Sequence, residues 1–418
     1  MKRKATLTAV FSSLILFFAG SGTAAVVEWD DGFASDSKWG SGDNWDPNGT
    51  PGTADTVQHN EVEGTLLIDD AYTIETARVM YRTSSVGSVE TGSATWEADG
   101  TNRSVTVTDS LLVGRGSNSH STYWNLMGEL TTDGIDLNVG SAGARATMTL
   151  GEKIVADHNK GTRGTVSVQN GTFTAYLSRL DLGRNTTGNG YAHGYLYLNT
   201  NATSVVDISG DMNLGHADVS NAGKQSNGIV EVEDGTFNIG GNLRLARDTG
   251  SENESRGTKA TLNMTNSTFE VAGDVSMAGT DGYGSKSWEI SEAFINTTVD
   301  GQYGGLDLSA TSSLDINTDA SLNTITVTFN ANPDALDPDG WYWGLRWAGD
   351  HETSLEGLLG DGRLVVDDSG LSTQYQQADY ITFDSASGYT YVGAYNIPEP
   401  ATLALLALGG VGLLRRRQ

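Results

Sequence analysis

The side chains best suited to catalysis lie in two short acidic runs, Asn317-Thr318-Asp319 and Asp367-Asp368. Paired carboxylates can hydrolyse a glycosidic bond, one acting as acid and the other as base or nucleophile. On a stacked β scaffold a uronan hydrolase would add a His and an Arg or Lys on the same face. No Gly-His-Gly or Arg-x-Lys element follows either run, and Gly215-His216-Ala217 lies upstream, in the wrong order. A lyase would need calcium-binding carboxylates beside a basic residue, and no such set stands out. Short Asn, Thr and Asp runs are also expected from this composition, so the body reads as non-catalytic and without a cofactor.

Metal and ligand chemistry is equally thin. The six histidines, His59, His120, His158, His193, His216 and His351, are dispersed without His-Glu-x-x-His spacing, and read as exposed loop residues. Asp334-Ala-Leu-Asp337-Pro-Asp339-Gly340 offers oxygens to a hard cation, but it lacks the regular ligand spacing and distal Glu of a calcium loop. It reads as a polar turn, and no metal site is expected. Trp341, Trp343 and Trp347 could form a sugar-stacking platform; in a strand Trp341 and Trp343 share a face, and packing in the core or a cap is the reading preferred here.

The chain ends carry the clearest signals. Pro398-Glu399-Pro400 is followed by Ala401 to Leu414 without a charge, then by Arg415-Arg416-Arg417 and Gln418. As a helix, an apolar stretch of about 14 residues spans roughly 21 Å, short of the roughly 30 Å hydrocarbon core. That length suits a temporary membrane stop, and the arginines would hold its end on the cytoplasmic side. At the other end Lys2, Arg3 and Lys4 precede an apolar run, Val10 to Phe18, and a small, flexible stretch, Gly20 to Ala25. This is the pattern of a secretory signal peptide, with cleavage expected after Ala24 or Ala25.

The C-terminal segment resembles the PEP-CTERM sorting signal of Gram-negative bacteria. The resemblance implies export, brief residence in the inner membrane, cleavage near Pro398-Glu399-Pro400 by an exosortase-type membrane enzyme, and release or transfer to the cell surface. Signal peptidase and the exosortase are then the expected processing partners, with exopolysaccharide as a candidate extracellular one.

Composition limits what lies between the tags. They hold six of the 25 basic residues and one of the 52 acidic ones, leaving 19 against 51 and a net charge of −32. Such a body repels nucleic acid, whose partners need the opposite sign. There are no cysteines, so disulfides, thiolate-bound metals and thiol catalysis are all excluded. Gly is abundant at 53 and Pro scarce at 6, and long amphipathic helical patterns are absent, which suits many short strands joined by turns.

The middle of the chain repeats. Gly164-Thr-Val-Ser-Val-Gln-Asn170-Gly171-Thr172-Phe173 aligns with Gly228-Ile-Val-Glu-Val-Glu-Asp234-Gly235-Thr236-Phe237 and with Ala260-Thr-Leu-Asn-Met-Thr-Asn266-Ser267-Thr268-Phe269. Val205 fills the weaker copy. Each copy continues into an apolar-x-apolar-Gly/Ala element: Leu180 to Gly183, Met212 to Gly215, Leu243 to Ala246, Val275 to Ala278, with Leu137 to Gly140 and Leu111 to Gly114 as further copies. A unit of three short strands with Asn-Gly or Asp-Gly corners cannot bury its apolar face alone, but stacked units can.

The expected fold is all-β: a right-handed parallel β-helix, about one coil per 32 residues, with both ends capped. Phe173, Val205, Phe237 and Phe269 would form one internal ladder, and Leu182, Leu214, Leu245 and Met277 another. Asn-Gly and Asp-Gly also favour antiparallel hairpins, so an antiparallel β-sandwich is the alternative. The tryptophan, Pro and Asp pattern after Glu28 resembles the N-terminal edge of autotransporter-like β-helix proteins, and the body their pectin-lyase-like relatives. The divisions are a signal peptide at 1–25, an N-terminal cap at 26–60, β-helix repeats at 61–321, a C-terminal β cap or small domain at 322–395 and the sorting signal at 396–418. The expected function is an exported surface or matrix protein, structural or adhesive. The alternatives are a polysaccharide-active hydrolase or lyase, or a carbohydrate-binding module, on the same scaffold.

Overall fold

The structure is a computed structural model. It describes residues 25–395 apart from 30–36, 61–62, 83–89, 117–125, 155–160, 187–189, 218–223, 248–257, 279–291, 317–322, 335, 374 and 376–378. Both tags lie outside the described residues, except for Ala25.

The chain winds into a three-faced β-solenoid. About seven turns repeat on a spacing of about 32 residues, and the stacks continue at each end. One coil shows the design. Residues 224–233 lie on face 1, 235–239 turn onto face 2, and Leu243–Leu245 forms face 3. On face 1, Glu63–Ile68 pairs with Glu90–Ala98 and the stack runs through Leu126–Asp133, Thr162–Gln169, 190–199, 224–233, Lys259–Thr265, Glu292–Val299, Thr324–Phe329 and Leu364–Asp367. Face 2 stacks 71–74, 104–107, Asp136–Val139, 173–177, 204–208, 235–239, Thr268–Val271, Leu306–Leu308 and 345–347. Face 3 runs from Val26–Trp29 and Thr56–His59 up to Val275–Met277 and Leu314–Ile316. Every pairing in these stacks is parallel, which decides against the sandwich.

Strand alternation explains the core. Leu182, Leu214, Leu245 and Met277 stand in register and fully buried, as their spacing predicts. Phe237 and Phe269 stack with ring centroids 4.2 Å apart and planes 9° apart. The phenylalanine ladder differs below them. Val206 is opposite Phe237, and Ala175 is opposite Val206. Phe173 pairs instead with Leu137, two positions earlier along the strand, and Val205 points outward. The Leu137 to Gly140 element is therefore on face 2. The face 3 copy in that coil is Met148 to Gly151, paired with Leu180 to Leu182.

The corner from face 1 to face 2 uses the Asx residues as expected, with Asn170, Asp234 and Asn266 at φ of 52°, 56° and 47°. These are left-handed values that Asn and Asp tolerate best after Gly. The corner leaving face 3 is tighter. Gly114, Gly151, Gly183, Gly215, Ala246 and Ala278 all have φ between 50° and 67°. Against them runs a second row, Gly128, Gly164, Gly194, Gly228, Ala260 and Ala293, in register on face 1. A Cβ on Gly164 would lie 2.3 Å from the Gly151 nitrogen, and one on Gly151 would lie 1.7 Å from the His193 carbonyl oxygen.

Both ends are covered, as open strand edges demand. At the N-terminal end the backbone of Ser37 and Trp39 bonds the outer edge of Leu67 at 2.8 and 2.9 Å. Trp39 packs 5.1 Å from Trp45 and 5.6 Å from Trp96, and Trp29 lies 5.1 Å from Trp45. His59 sits inside this aromatic cluster, where burial pulls its pKa down to about 3. At the C-terminal end Tyr389–Tyr395 pairs antiparallel with Trp341–Ala348 and with Ile381–Asp384. Helix α1, Glu352–Gly360, inserts Leu355 into the core.

Two outcomes follow from this packing. Gly183→Val, whose Cβ would meet the Asn227 carbonyl oxygen at 2.0 Å, is expected to cost more than about 4 kcal/mol. Gly64→Ala, with nothing within 4 Å, should be near neutral; urea unfolding of the two variants checks the contrast. For His59, the folded pKa of about 3 lies below the unfolded value of 6.5, so only the unfolded chain takes up a proton as pH falls through that window. Stability present above pH 6.5 should fall by about 2 kcal/mol between pH 7 and pH 5. A His59→Phe variant, compared with the parent by unfolding at both pH values, should lack that share of the loss.

Candidate functional site

The outward side of face 2 carries a groove that brings charged groups together, about 530 Å³ in volume and bounded by Arg145 and Tyr389. Strand register creates it. Asp207, Asn238, Glu270, Asp307 and Arg346 occupy one outward position on successive coils. Their side chains are thus set about 4.8 Å apart along the column axis. Arg145 donates to the Asp207 carboxylate at 2.9 Å and to the Asp207 carbonyl oxygen at 2.8 Å. At the other end Arg346 donates to Asp307 at 2.6 Å, and its guanidinium lies 4.6 Å from the Trp343 ring and 4.9 Å from that of Tyr389. Burial pushes the Asp307 carboxyl above the usual range, and Arg346 opposes that shift without cancelling it.

Two of the three carboxylates in the groove are therefore matched by arginines. Glu270 is exposed and has no ion pair among the described residues. Hydrolysis by a carboxylate pair needs a proton-holding acid beside a free base. Asp307 has the raised pKa of an acid, but its oxygen is engaged by Arg346. A related ladder stabilises face 3, where Arg115 and Arg184 bridge Glu152 at 2.5 and 3.3 Å, and Asn213 donates to the buried Asp181 at 2.8 Å.

The residues singled out in the sequence do not assemble here. Asn317, Thr318 and Asp319 lie outside the described residues. Asp367 is at the end of face 1, where it accepts from the Ser369 N–H at 3.0 Å, and Asp368 accepts from the Tyr380 hydroxyl at 2.5 Å. Asp337 organises the expected polar turn: its carboxylate accepts from the Trp341 N–H at 2.7 Å and from Trp343 Nε1 at 2.9 Å. Trp341, Trp343 and Trp347 are buried at 6%, 1% and 7% exposure, and Trp341 stacks on Tyr391 at 4.6 Å, so they form no surface platform. The histidines depart from the exposed-loop expectation. His59 and His216 are buried, His193 and His351 are half-buried, and His120 and His158 lie outside the described residues. Among the described residues no three His, Asp or Glu side chains gather as a metal site.

Sequence reasoning missed the groove. Its signal is present, since Asp207, Asn238, Glu270 and Asp307 are each the polar residue between two apolar ones of a face 2 strand. Only the register shows that they align.

The scaffold defines the class first: a β-solenoid with both ends closed and charged rows on its outer faces. Residues 396–418 then match the family of the PEP-CTERM protein-sorting motif. The motif marks an exported chain, held transiently at the membrane and processed by an exosortase-type membrane enzyme. Among the described residues no helix is long and apolar enough to cross a membrane, and the segment following Pro398-Glu399-Pro400, up to Arg415-Arg416-Arg417, is outside them. No curated protein and no solved structure matches the chain.

The two arginines of the groove should differ in weight. Arg346→Ala strands the largely buried Asp307 and is expected to cost about 3 kcal/mol. Arg145→Ala, at a more exposed pair, should cost about 1 kcal/mol. Denaturant midpoints of the two variants, taken at neutral pH, check the order.

Proposed function

We propose that the mature protein is a non-catalytic structural or adhesive component of the cell surface or extracellular matrix, delivered there by its C-terminal tag. The observation that carries the reading is the order of parts: a closed, rigid β column followed directly by the sorting segment. The last described strand ends at Tyr395, and Pro398 is three residues further on. Parallel rungs on a continuous apolar core make a stiff spacer, and the excess of acidic groups keeps it soluble. The capped edges suit a protein that stays separate from its copies while crossing the envelope.

The rival reading, a polysaccharide hydrolase or lyase, draws on the groove of face 2. It is disfavoured because Asp207 and Asp307 are both occupied by arginines, which leaves Glu270 without a carboxylate partner. A lyase has the further difficulty that, among the described residues, no cluster of calcium ligands stands beside the groove.

Processing at the N-terminus is proposed to follow Ala24. The Ala25 nitrogen donates to the Asp55 carboxylate at 3.1 Å, and its carbonyl oxygen accepts from Thr56 at 2.8 Å. Cleavage after Ala24 keeps both bonds and places a new ammonium against Asp55, whereas cleavage after Ala25 removes them.

Fractionation of producing cells tests the whole reading. The parent chain should appear outside the inner membrane at reduced mass, with Ala25 as its first residue. A variant with Pro398, Glu399 and Pro400 all changed to Ala should stay in the membrane fraction at higher mass. Equal mass and location for both would overturn the sorting assignment. Release of reducing ends from polysaccharide by the purified protein would overturn the non-catalytic one.

A further inference from the structure

Among the described residues, one coil of face 1 carries a run of aromatic rings on its outer side. Along residues 190–199 the inward positions are Ala192, Leu196 and Leu198, all buried. The outward ones are Tyr191, His193, Tyr195 and Tyr197, a row of four rings spanning about 20 Å. Tyr195 and Tyr197 lie with ring centroids 6.2 Å apart and planes within 10°. His193 is 6.3 Å from Tyr195, and Tyr191 is 6.0 Å from His193. The described positions flanking Tyr195 and Tyr197 on the preceding coils are small or polar: Ser93, Glu129 and Thr165 in line with Tyr195, and Ser167 in line with Tyr197.

A pocket lies on the neighbouring strands, and Arg163 links it to the row. It is a depression of about 270 Å³, lined by Ser93, Glu129, Arg163 and Thr165 and floored by glycine. Arg163 extends over the Tyr195 ring, with its guanidinium carbon 4.8 Å from the centroid. Neither Arg163 nor Glu129 forms an ion pair among the described residues, so both keep hydrogen-bonding capacity. His193 Nε2 likewise has no partner among the described residues.

We propose that this tyrosine row and its pocket bind a single strand of a neutral polysaccharide. The chemistry is complementary in two ways. The C–H face of a pyranose is apolar and slightly positive at its hydrogens, and it rests on the negative face of an aromatic ring. The hydroxyls around the sugar edge then need donors and acceptors, which Thr165, Ser167, Glu129 and Arg163 supply. The charge selects neutral over anionic glycans. The whole chain carries −27, and Glu129 and Glu231 flank the row, so a polyanion would be repelled. Tyr197 itself is held above the usual tyrosine range by burial and by Glu231, and stays a neutral hydroxyl. The site deepens the envelope assignment and rests on it only for where the glycan is met.

Affinity electrophoresis of the full chain in mild detergent tests the proposal. Native gels would contain galactomannan, xyloglucan or hydroxyethylcellulose as neutral probes, and polygalacturonate as the anionic one. Retardation is expected in at least one neutral gel. The double variant Tyr195→Ala/Tyr197→Ala should weaken it at least about tenfold, while Tyr195→Phe/Tyr197→Phe stays within about threefold because the rings remain. Arg163→Ala, on a neighbouring strand, should weaken it about threefold and guards against a folding defect in the double variant. No retardation in any neutral gel, retardation by polygalacturonate alone, or equal retardation of parent and alanine double variant would each overturn the site. Cell fractionation reads the sorting tag independently, so a correctly sorted protein that ignores every neutral glycan refutes the site alone.

Discussion

The shape of this protein depends on the contact between two stretches of backbone with no side chain between them. Where face 3 turns toward the next coil, the nitrogen of Gly151 comes so close to Gly164 that a Cβ there would stand 2.3 Å away. The same approach recurs at Gly114 with Gly128, Gly183 with Gly194 and Gly215 with Gly228. Both rows change to alanine at the same coil, Ala246 on one side and Ala260 on the other. That coordinated change fits a corner whose spacing is set by the pair. Segments of differing length, 187–189, 218–223, 248–257 and 279–291, follow this corner in the sequence and lie outside the described residues. The glycine rows thus fix the cross-section at the corner where the two backbones meet.

Parallel stacking has a second consequence, for charge. Each outward position repeats about every 4.8 Å, so like charges on successive coils would repel along a whole row. Alternation relieves part of this, although Glu270 and Asp307 on face 2, and Glu97 and Asp133 on face 1, stand in register on successive coils. On face 2, Asn238 separates Asp207 from Glu270, and the row ends at Arg346 beside Asp307. On face 3, the buried Asp181 is flanked by Thr149 and Asn213. Spreading the acids over many rows limits the repulsion. The rows that hold the aromatic coil on face 1 are themselves mixed, with Glu129 in line with Tyr195 and Glu231 in line with Tyr197.

Much of this was legible in the residues, because alternation and period survive in the sequence. The Leu182 to Met277 ladder followed directly from spacing. The phenylalanine ladder failed for a definite reason. From Gln169 to Thr174 the chain takes five steps round the corner, from Asn199 to Val205 six, and from Glu233 to Thr236 only three. The distance from Phe173 to Phe237 is still twice 32, since longer and shorter segments offset one another. Counting residues sees the total, whereas register sees each corner. Leu137 to Gly140 misled similarly, because a strand ending in a left-handed glycine looks the same on face 2 as on face 3. The tyrosine row was visible as Tyr191-Ala-His193-Gly-Tyr195-Leu-Tyr197, but its meaning depended on knowing that the intervening residues face the core. The tryptophans drew attention by size and proved to be packing.

Position along the column relates the two proposed roles. Five residues separate Tyr395 from Ala401, six steps that span at most about 20 Å of extended chain. While the tag is held in the membrane, the end built from Trp341–Ala348 and Tyr389–Tyr395 must therefore stand close to the bilayer. The tyrosine coil is four rungs away along face 1, through 224–233, Lys259–Thr265, Glu292–Val299 and Thr324–Phe329. At about 4.8 Å per rung it lies roughly 20 Å further out. A glycan strand running along residues 190–199 would thus lie across the column rather than along it, at a height clear of the membrane surface. The same protein could then engage polysaccharide both before and after its tag is removed, because neither the row nor its pocket includes any residue of the sorting segment.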